Sequence, residues 1–418
     1  MIIDAYSTGR YLPEALRRHG VRCTHVQSSP GMPDFFLKSF PAESFAADDR
    51  LVHDETGRDG LDLDALVGEL RSRQPAFVVA GTETGVDLAD ALTARLGLPG
   101  NAFDARRPRR DKYEMAAAVR AHGLRAPDTL RTEHFDTALS WAKAYDRWPL
   151  VVKPADSAGT DNVYFCADTV ELCTAFDRIL RSRNLMGFAN RTVVLQEFLA
   201  GTEYFANTVS VAGRHHVAEV WRYHKRPGRN GSAIYDYEEP LAPDDPAVVR
   251  IRPYLLSVLD ALGVRQGPAH SEIMLTDQGP TLIESGARLA GSIIPEVVDR
   301  VFGTNHVDLT AEAIAAPEAF AARMDDEAPT LHTNLRYVSL ISPAAGRLTS
   351  VAPFDRIRAL DSFAALSLGV DTGDLITPTV DSATSPGVCY LVHDDAEQIK
   401  RDYEALRAME LEDLYEVE

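Results

Sequence analysis

Apolar and polar positions switch between two periods along the first hundred residues. MIIDAY runs apolar as a short strand, LPEALRRHG spaces its apolar residues as a helix ending at Gly20, and VRCTHVQ reads as strand again. DLDALVGELRSR predicts a helix, PAFVVAGT a short buried strand, and VDLADALTARLG a helix that stops at Gly97. Strands and helices in alternation predict a parallel sheet with right-handed crossovers. The loops after MIIDAY and PAFVVAGT, Ser7–Thr8–Gly9 and Gly81–Thr82–Glu83–Thr84–Gly85, fall where such sheets bind ligands. Neither loop is GxGxxG or a Walker A loop, so neither supports a dinucleotide or P-loop reading.

Beyond a basic, proline-containing link the pattern continues with DKYEMAAAVRAHG, a helix ending at Gly123, and a helix over Ala138 to Tyr145. PLVVKPADSAGTDNVYF reads as strand, small-residue loop, strand; VELCTAFDRILRSR is helical and TVVLQEFL is a strand. The pattern then changes. YFANTVSVAGRHHVAEVWRY alternates around Gly213–Arg214 and predicts an antiparallel hairpin. RPGRNGSAIYDYEEP shows no period and predicts a mobile loop over a site. A helix over Ala247 to Leu262 follows. From about Leu335, short strands in SLISPAAGRL, GVDTGDLI and GVCYLVH precede a helix from Asp395 to about Met409. The expected division is 1–105, an N-terminal α/β domain; 106–195 and 196–334, two α+β lobes; and 335–418, a small α+β lobe.

Composition narrows the functional classes. The chain has 418 residues, 45% hydrophobic and 25% charged, ordinary for a globular enzyme. No apolar run reaches membrane-span length, and the first ten residues lack a signal-peptide core, which predicts a cytoplasmic protein. The cysteines Cys23, Cys166, Cys173 and Cys389 have no metal or disulfide spacing and read as free thiols. A formal net charge of −19 repels phosphate backbones and argues against a nucleic-acid partner. The strongest basic cluster, RRPRRDK from Arg106 to Lys112, reads either as a solvated linker or as a local anion site.

The chemistry concentrates in AHSEIMLTDQGPTLIESGAR. A three-residue loop, Asp277–Gln278–Gly279, places Thr276 opposite Pro280 and therefore Glu272 opposite Glu284. Opposed carboxylates destabilise a sheet unless one stays protonated or a divalent cation lies between them. Hard oxygen ligands suit Mg²⁺, with Mn²⁺ as a substitute; an error in register would instead turn both acids to solvent. Arg288, four residues past Glu284, offers a planar fork to phosphate or carboxylate oxygens, or an ion pair to either acid. Lys153 ends the run PLVVK, and Ser157, Ala158, Gly159 and Thr160 form a small-residue cradle for polyphosphate. Gln196 and the backbone of Glu197 and Leu199 present a strand end to a purine edge, and Glu203 could accept from ribose hydroxyls.

Taken in order, DKYEM with Lys112, VVKPADSAGT with Lys153, QEFLAGTE, SEIML with Glu272 and IESGARLAG with Glu284 and Arg288 resemble the ATP-grasp superfamily. The resemblance covers roughly residues 1 to 330, and GPAHSEIML with GPTLIESGARLAGS is most similar to L-amino-acid ligases of the bacilysin synthetase type. It implies an ATP-grasp fold, α/β and α+β, with an N-terminal parallel-sheet domain, two ATP-binding lobes and a C-terminal lobe. It implies ATP and Mg²⁺, with Lys112 and Lys153 on the phosphates, residues Ser157 to Thr160 covering them, Gln196, Glu197 and Leu199 on adenine and Glu203 on ribose. Glu272 and Glu284 would bind metal, and Arg288 and Lys153 would be the catalytic residues. Many members place an asparagine ligand where this chain has Gly286, so one metal ion would be held differently here.

The implied reaction activates a carboxylate as an acyl phosphate, releasing ADP, and an amine then displaces phosphate. Small carboxylate and amine substrates, above all amino acids, are the expected partners, with no nucleic acid or membrane; related ligases are commonly homodimers. His270, His224 and His216 are candidate bases, and Tyr235, Asp236 and Gly291 candidate substrate contacts, each against a structural reading. The rival readings are an ATP-grasp carboxylase or purine-type ligase using bicarbonate, formate or a ribotide, and a nucleotide-binding module without turnover.

Overall fold

The two periods of the sequence become two kinds of sheet in a computed structural model that describes residues 1–155, 162–184, 187, 189–228, 233–291, 293–324 and 330–418. The alternating N-terminal stretch gives β1 (Ile2–Ile3), α1 (Leu12–Arg18), β2 (His25–Gln27), α2 (Asp34–Leu37), β3 (Arg50–Val52), α3 (Leu63–Ser72), β4 (Val79–Ala80) and α4 (Val86–Leu96). The strands pair in parallel in the order β3-β2-β1-β4, so the chain switches sides between β1 and β4. The Gly81–Gly85 loop leaves that switch point, where a ligand crevice of an open parallel sheet lies.

A second unit follows α5 (Lys112–Ala121): β5 (Thr129–Thr132), α6 (Phe135–Tyr145), β6 (Leu150–Pro154), β7 (Tyr164–Cys166), α7 (Thr169–Arg181) and β8 (Val193–Glu197). Its antiparallel sheet runs β5-β8-β6-β7. The third unit has β9 (Thr202–Val211), β10 (Arg214–Pro227), β11 (Ala233–Pro240), α8 (Pro246–Ala261), β12 (Gly267–Thr276), β13 (Gly279–Gly286), α9 (Pro295–Phe302), α10 (His306–Ala315) and α11 (Pro317–Arg323). The last stretch adds β14 (Asn334–Ser339), β15 (Gly346–Arg347), β16 (Phe363–Leu368), β17 (Leu375–Ile376), β18 (Gly387–His393) and α12 (Ala396–Glu412). Three of its strands extend the third unit's sheet, giving one eight-stranded order β13-β12-β9-β10-β11-β14-β18-β16.

Alternation along these strands divides the sheet's faces. Ala206, Ile273 and Leu282 bury against Ile251, Leu255 and Leu259 of α8. Phe205 and Trp221 turn the other way, against Val297, Val298 and Val301 of α9. The expected loop over RPGRNGSAIYDYEEP is in large part a hairpin: β11 pairs with the far end of β10 through a bulge at His224/Lys225. That bulge, and the glycines and arginines ahead of Ala233, break the alternation that would have revealed it.

The basic link is not a uniformly solvated segment. Arg109 is 1% exposed. Its guanidinium donates to Asp90 Oδ2 at 2.7 Å, Leu262 O at 2.9 Å and Ala102 O at 3.0 Å, joining the N-terminal domain to the end of α8. Asp90→Ala should strand this buried cation and cost about 3–5 kcal/mol in denaturant unfolding, while Asp90→Ala with Arg109→Met should recover most of the loss. Equal stability of Asp90→Ala and wild type would show that the pair contributes nothing.

Candidate active site

The hairpin of β12 and β13 opposes Glu272 to Glu284, as expected, but by another route. Thr276 pairs with Gly279 rather than Pro280, and Gly279 takes a positive φ of 110°. That register alone would place Ile283 opposite Glu272. A bulge between Glu272 and Ile273 then absorbs one residue and restores the acid pair. Two departures from ideal counting cancel.

The acids stand against a cavity of about 740 Å³ between the two antiparallel sheets. Lys112, Lys153, Gln196, Glu197, Leu199, Glu203, Tyr235, Glu272 and Glu284 all line it, so most of the residues singled out in the sequence converge. Lys112 enters at the first turn of α5 and donates to Glu284 Oε1 at 2.9 Å. Lys153, on β6, is 4% exposed; burial and the nearby Lys112 push its ammonium down to about 8, against the acids around it. Lys225 donates to Glu203 Oε1 at 2.7 Å and lies 4.2 Å from the Tyr235 ring centroid. Tyr223 donates to Glu272 Oε1 at 3.4 Å. Val151, Phe165, Phe198, Met274 and Ile283 supply apolar wall beside the β8 end, suited to a flat base. Ser157, Ala158, Gly159 and Thr160 lie outside the described residues.

Several of the groups expected to meet the nucleotide along β8 have partners within the protein. The Gln196 amide donates to Thr129 Oγ1 at 3.2 Å, and the Glu197 carboxylate accepts from Arg125 at 2.6 Å. The Glu197 N–H is taken by Asp128 O at 2.8 Å, whereas the Leu199 N–H has no partner among the described residues. Leu199 is thus the better-placed backbone donor for a purine edge.

The candidate histidines separate. His270 lies two residues before Glu272 on the same face, its Nε2 3.8 Å from Glu272 Oε1. Trp221 Nε1 and Asn207 Nδ2 both donate into the fully buried Glu219, at 3.0 and 2.7 Å. The Asn207 carbonyl oxygen is left to face His270 Nδ1 at 2.8 Å, so Nδ1–H donates there and Nε2 stands toward Glu272. His224 faces the other way, stacked on Tyr237 and bonded to Glu239 at 2.9 Å, and His216 packs edge-on to Phe320. Asp236 also turns from the cavity: Arg226, Arg407 and Tyr403 bond it at 2.7, 2.8 and 2.8 Å, docking α12 on β11. Its strand neighbour Tyr235 points into the cavity, as alternation requires. Gly291 is exposed on the loop after Arg288.

Arg288 lies beyond the cavity lining, toward the N-terminal domain. Its Nε donates to Glu83 Oε2 at 2.9 Å and its Nη1 to Leu289 O at 2.9 Å. Glu83 also binds Arg110. Burial would raise the Glu83 carboxyl, but Arg110 and Arg288 together outweigh it and hold it at about 2. The loop holding Glu83 is marked by its place after a parallel strand, but no local pattern shows that the acid reaches Arg288. Lys225 and Tyr223 carry no sequence signal of this role: Tyr223 ends the predicted hairpin, and Lys225 lies between that hairpin and the predicted loop.

The donor set fits Mg²⁺ completed by phosphate oxygens. Two hard carboxylates face each other, and among the described residues no three acidic, imidazole or thiol groups converge to hold a metal alone. Among the same residues, no helix is long and apolar enough to cross a membrane.

Comparison with known proteins finds matches to two domains in order. An ATP-grasp domain matches residues 146–296, and an L-amino acid ligase C-terminal domain matches residues 338–409. Dapdiamide A synthase of Enterobacter agglomerans is 32% identical over 98% of this chain and 95% of its own length. Alanine–anticapsin ligase of Bacillus subtilis is 27% identical over 53% of this chain and 50% of its own. The crystal structure of an L-amino acid ligase from Bacillus licheniformis superposes with a TM-score of 0.73 at 20% identity, covering 98% of this chain and 96% of that one. With both domains matched in order and a full-length relative at that identity, the chain belongs to the ATP-grasp ligases, in the branch of the L-amino acid ligases.

Proposed function

We propose that this ligase couples the carboxylate of one amino acid to the amine of another, at the expense of ATP, to make a dipeptide or amino-acid amide. The observation that carries the reading is the convergence of Lys112, Lys153 and the opposed Glu272 and Glu284 on one cavity, with Arg288 immediately beyond the acids. In this reading ATP enters with its base against the apolar wall and Leu199, and its ribose near Glu203. Lys153 and Lys112 hold the phosphates as point charges. Glu272 and Glu284 would hold Mg²⁺, which would supply neutralising charge to the transferred group. The acid's carboxylate attacks the γ-phosphorus, ADP leaves, and an acyl phosphate remains. Arg288 then faces the developing charge, first on the phosphoryl group and next on the tetrahedral carbon. The amine attacks that carbon, loses a proton and expels phosphate. The protein contributes position and charge, so the reaction needs no covalent nucleophile from the chain. His270 sits at the edge of this arrangement with its Nε2 turned toward Glu272. Free cysteines at all four positions fit a reducing, cytoplasmic setting.

Glu284→Ala and Arg288→Ala should keep the wild-type circular dichroism spectrum and lower amino-acid-dependent ADP release by at least about 100-fold. Near-wild-type turnover in either variant would overturn that residue's assignment. A screen of ADP release over pairs of amino acids, with mass detection of products, should find a pair whose combined rate far exceeds either alone. Stimulation by bicarbonate, formate or a ribotide instead would transfer the chain to the carboxylase or purine-type reading. ATP binding without ADP release across the panel would indicate a nucleotide-binding module.

A further inference from the structure

Gly286 stands where many ATP-grasp enzymes carry an asparagine ligand, and its backbone does not explain the glycine. It is absent from the glycines with positive φ, so a side chain there would meet no dihedral strain. Space explains it. A Cβ at Gly286 would lie 2.5 Å from Glu83 Oε2 and 3.3 Å from Arg288 Nε. The volume of a side chain on β13 is occupied by a carboxylate arriving from the N-terminal domain.

We propose that Glu83 is a positioning residue for Arg288, and that Gly286 is a glycine because the Glu83 carboxylate fills its side-chain space. The side chain of Glu83 is 8% exposed and that of Arg288 16%. A carboxylate so enclosed is stable only with its partners, and its two guanidinium neighbours come from different elements, Arg110 ahead of α5 and Arg288 after β13. Glu83 fixes the Nε edge of Arg288 and Leu289 O fixes Nη1. Nη2 has no partner among the described residues and remains the edge for a reacting oxygen. The N-terminal domain thereby sets the aim of a group borne by the ATP-grasp sheet. The role of Arg288 in this inference rests on the ligase reading; the exchange of space between Glu83 and Gly286 does not.

Glu83→Gln keeps the volume and removes the charge. It should lower kcat by about tenfold or more while leaving KM for ATP within about twofold, because Arg288 is misaimed and the nucleotide cavity is untouched. Gly286→Asn should lower both the melting temperature and activity. In the Glu83→Ala background the same asparagine fits, so the double variant should be more stable than the two single changes predict if added. An unchanged kcat in Glu83→Gln overturns the positioning role. Additive stabilities, or a Gly286→Asn variant as stable as wild type, overturn the exchange of space. If wild type released ADP with no amino-acid pair, the ligase reading would fall while the stability cycle still decided the exchange.

Discussion

Two carboxylates held face to face on β12 and β13 are the constraint around which the other charges are arranged. Like charges opposed on one sheet face destabilise it, and replacement by apolar residues would relieve the strain at once. The chain instead gathers cations from separate elements: Lys112 from α5, Lys153 from β6 and Lys225 from β10. None of these elements is adjacent to another in sequence, so the cavity exists only when the two antiparallel sheets and α5 are assembled. Bringing lysines into partial burial is costly in turn, as the lowered Lys153 ammonium shows. In the proposed reading, a nucleotide polyphosphate with a divalent cation would satisfy both sets of charges together.

Sheet geometry does the remaining positioning. Glu219, Asn207, His270 and Gly286 are cross-strand neighbours in one row over β10, β9, β12 and β13. Trp221, Phe205, Glu272 and Glu284 form the next row. The first row is a hydrogen-bonded series that orients the His270 ring; the second is aromatic packing that ends in the acid pair. Residues two apart on β12, His270 and Glu272, thus inherit different surroundings from their rows while sharing a face.

This division explains what was legible in the sequence. The parallel N-terminal sheet, the hairpin and the acid pair follow from local period and turn chemistry, so they could be read from short stretches. The pair survived an error in the register because a bulge, invisible in composition, compensated for a tighter turn. A second bulge, at His224/Lys225, hides from the sequence which of Tyr235 and Asp236 faces inward; Tyr235 does, and Asp236 docks α12. Glu83 could not be found by period at all. Its partner Arg288 is 205 residues away, and only the close approach of the switch-point loop to β13 connects them.

The basic link shows the same limit most sharply, and what it does accounts for the assembly of the site. Four consecutive residues bind four different places. Arg109 holds Asp90 and the carbonyl ending α8; Arg110 holds Glu83; Asp111 caps α5 through Tyr113 N and Glu114 N and pairs with Arg131; Lys112 reaches Glu284. Read alone, RRPRRDK is a run of positive charge with solvated-linker composition. In the fold it is the junction of the N-terminal domain, the β5–β8 sheet and the acid-bearing hairpin. A helix that starts at Lys112 has a fixed first turn because Asp111 caps it, and that cap fixes the height at which the lysine meets Glu284. Since Arg110 is one residue from the cap, the same turn fixes the distance from Glu83 to the hairpin. Two contacts beside the acid pair, Lys112 on Glu284 and Arg110 on Glu83, therefore come from one short segment, and Glu83 carries the second on to Arg288.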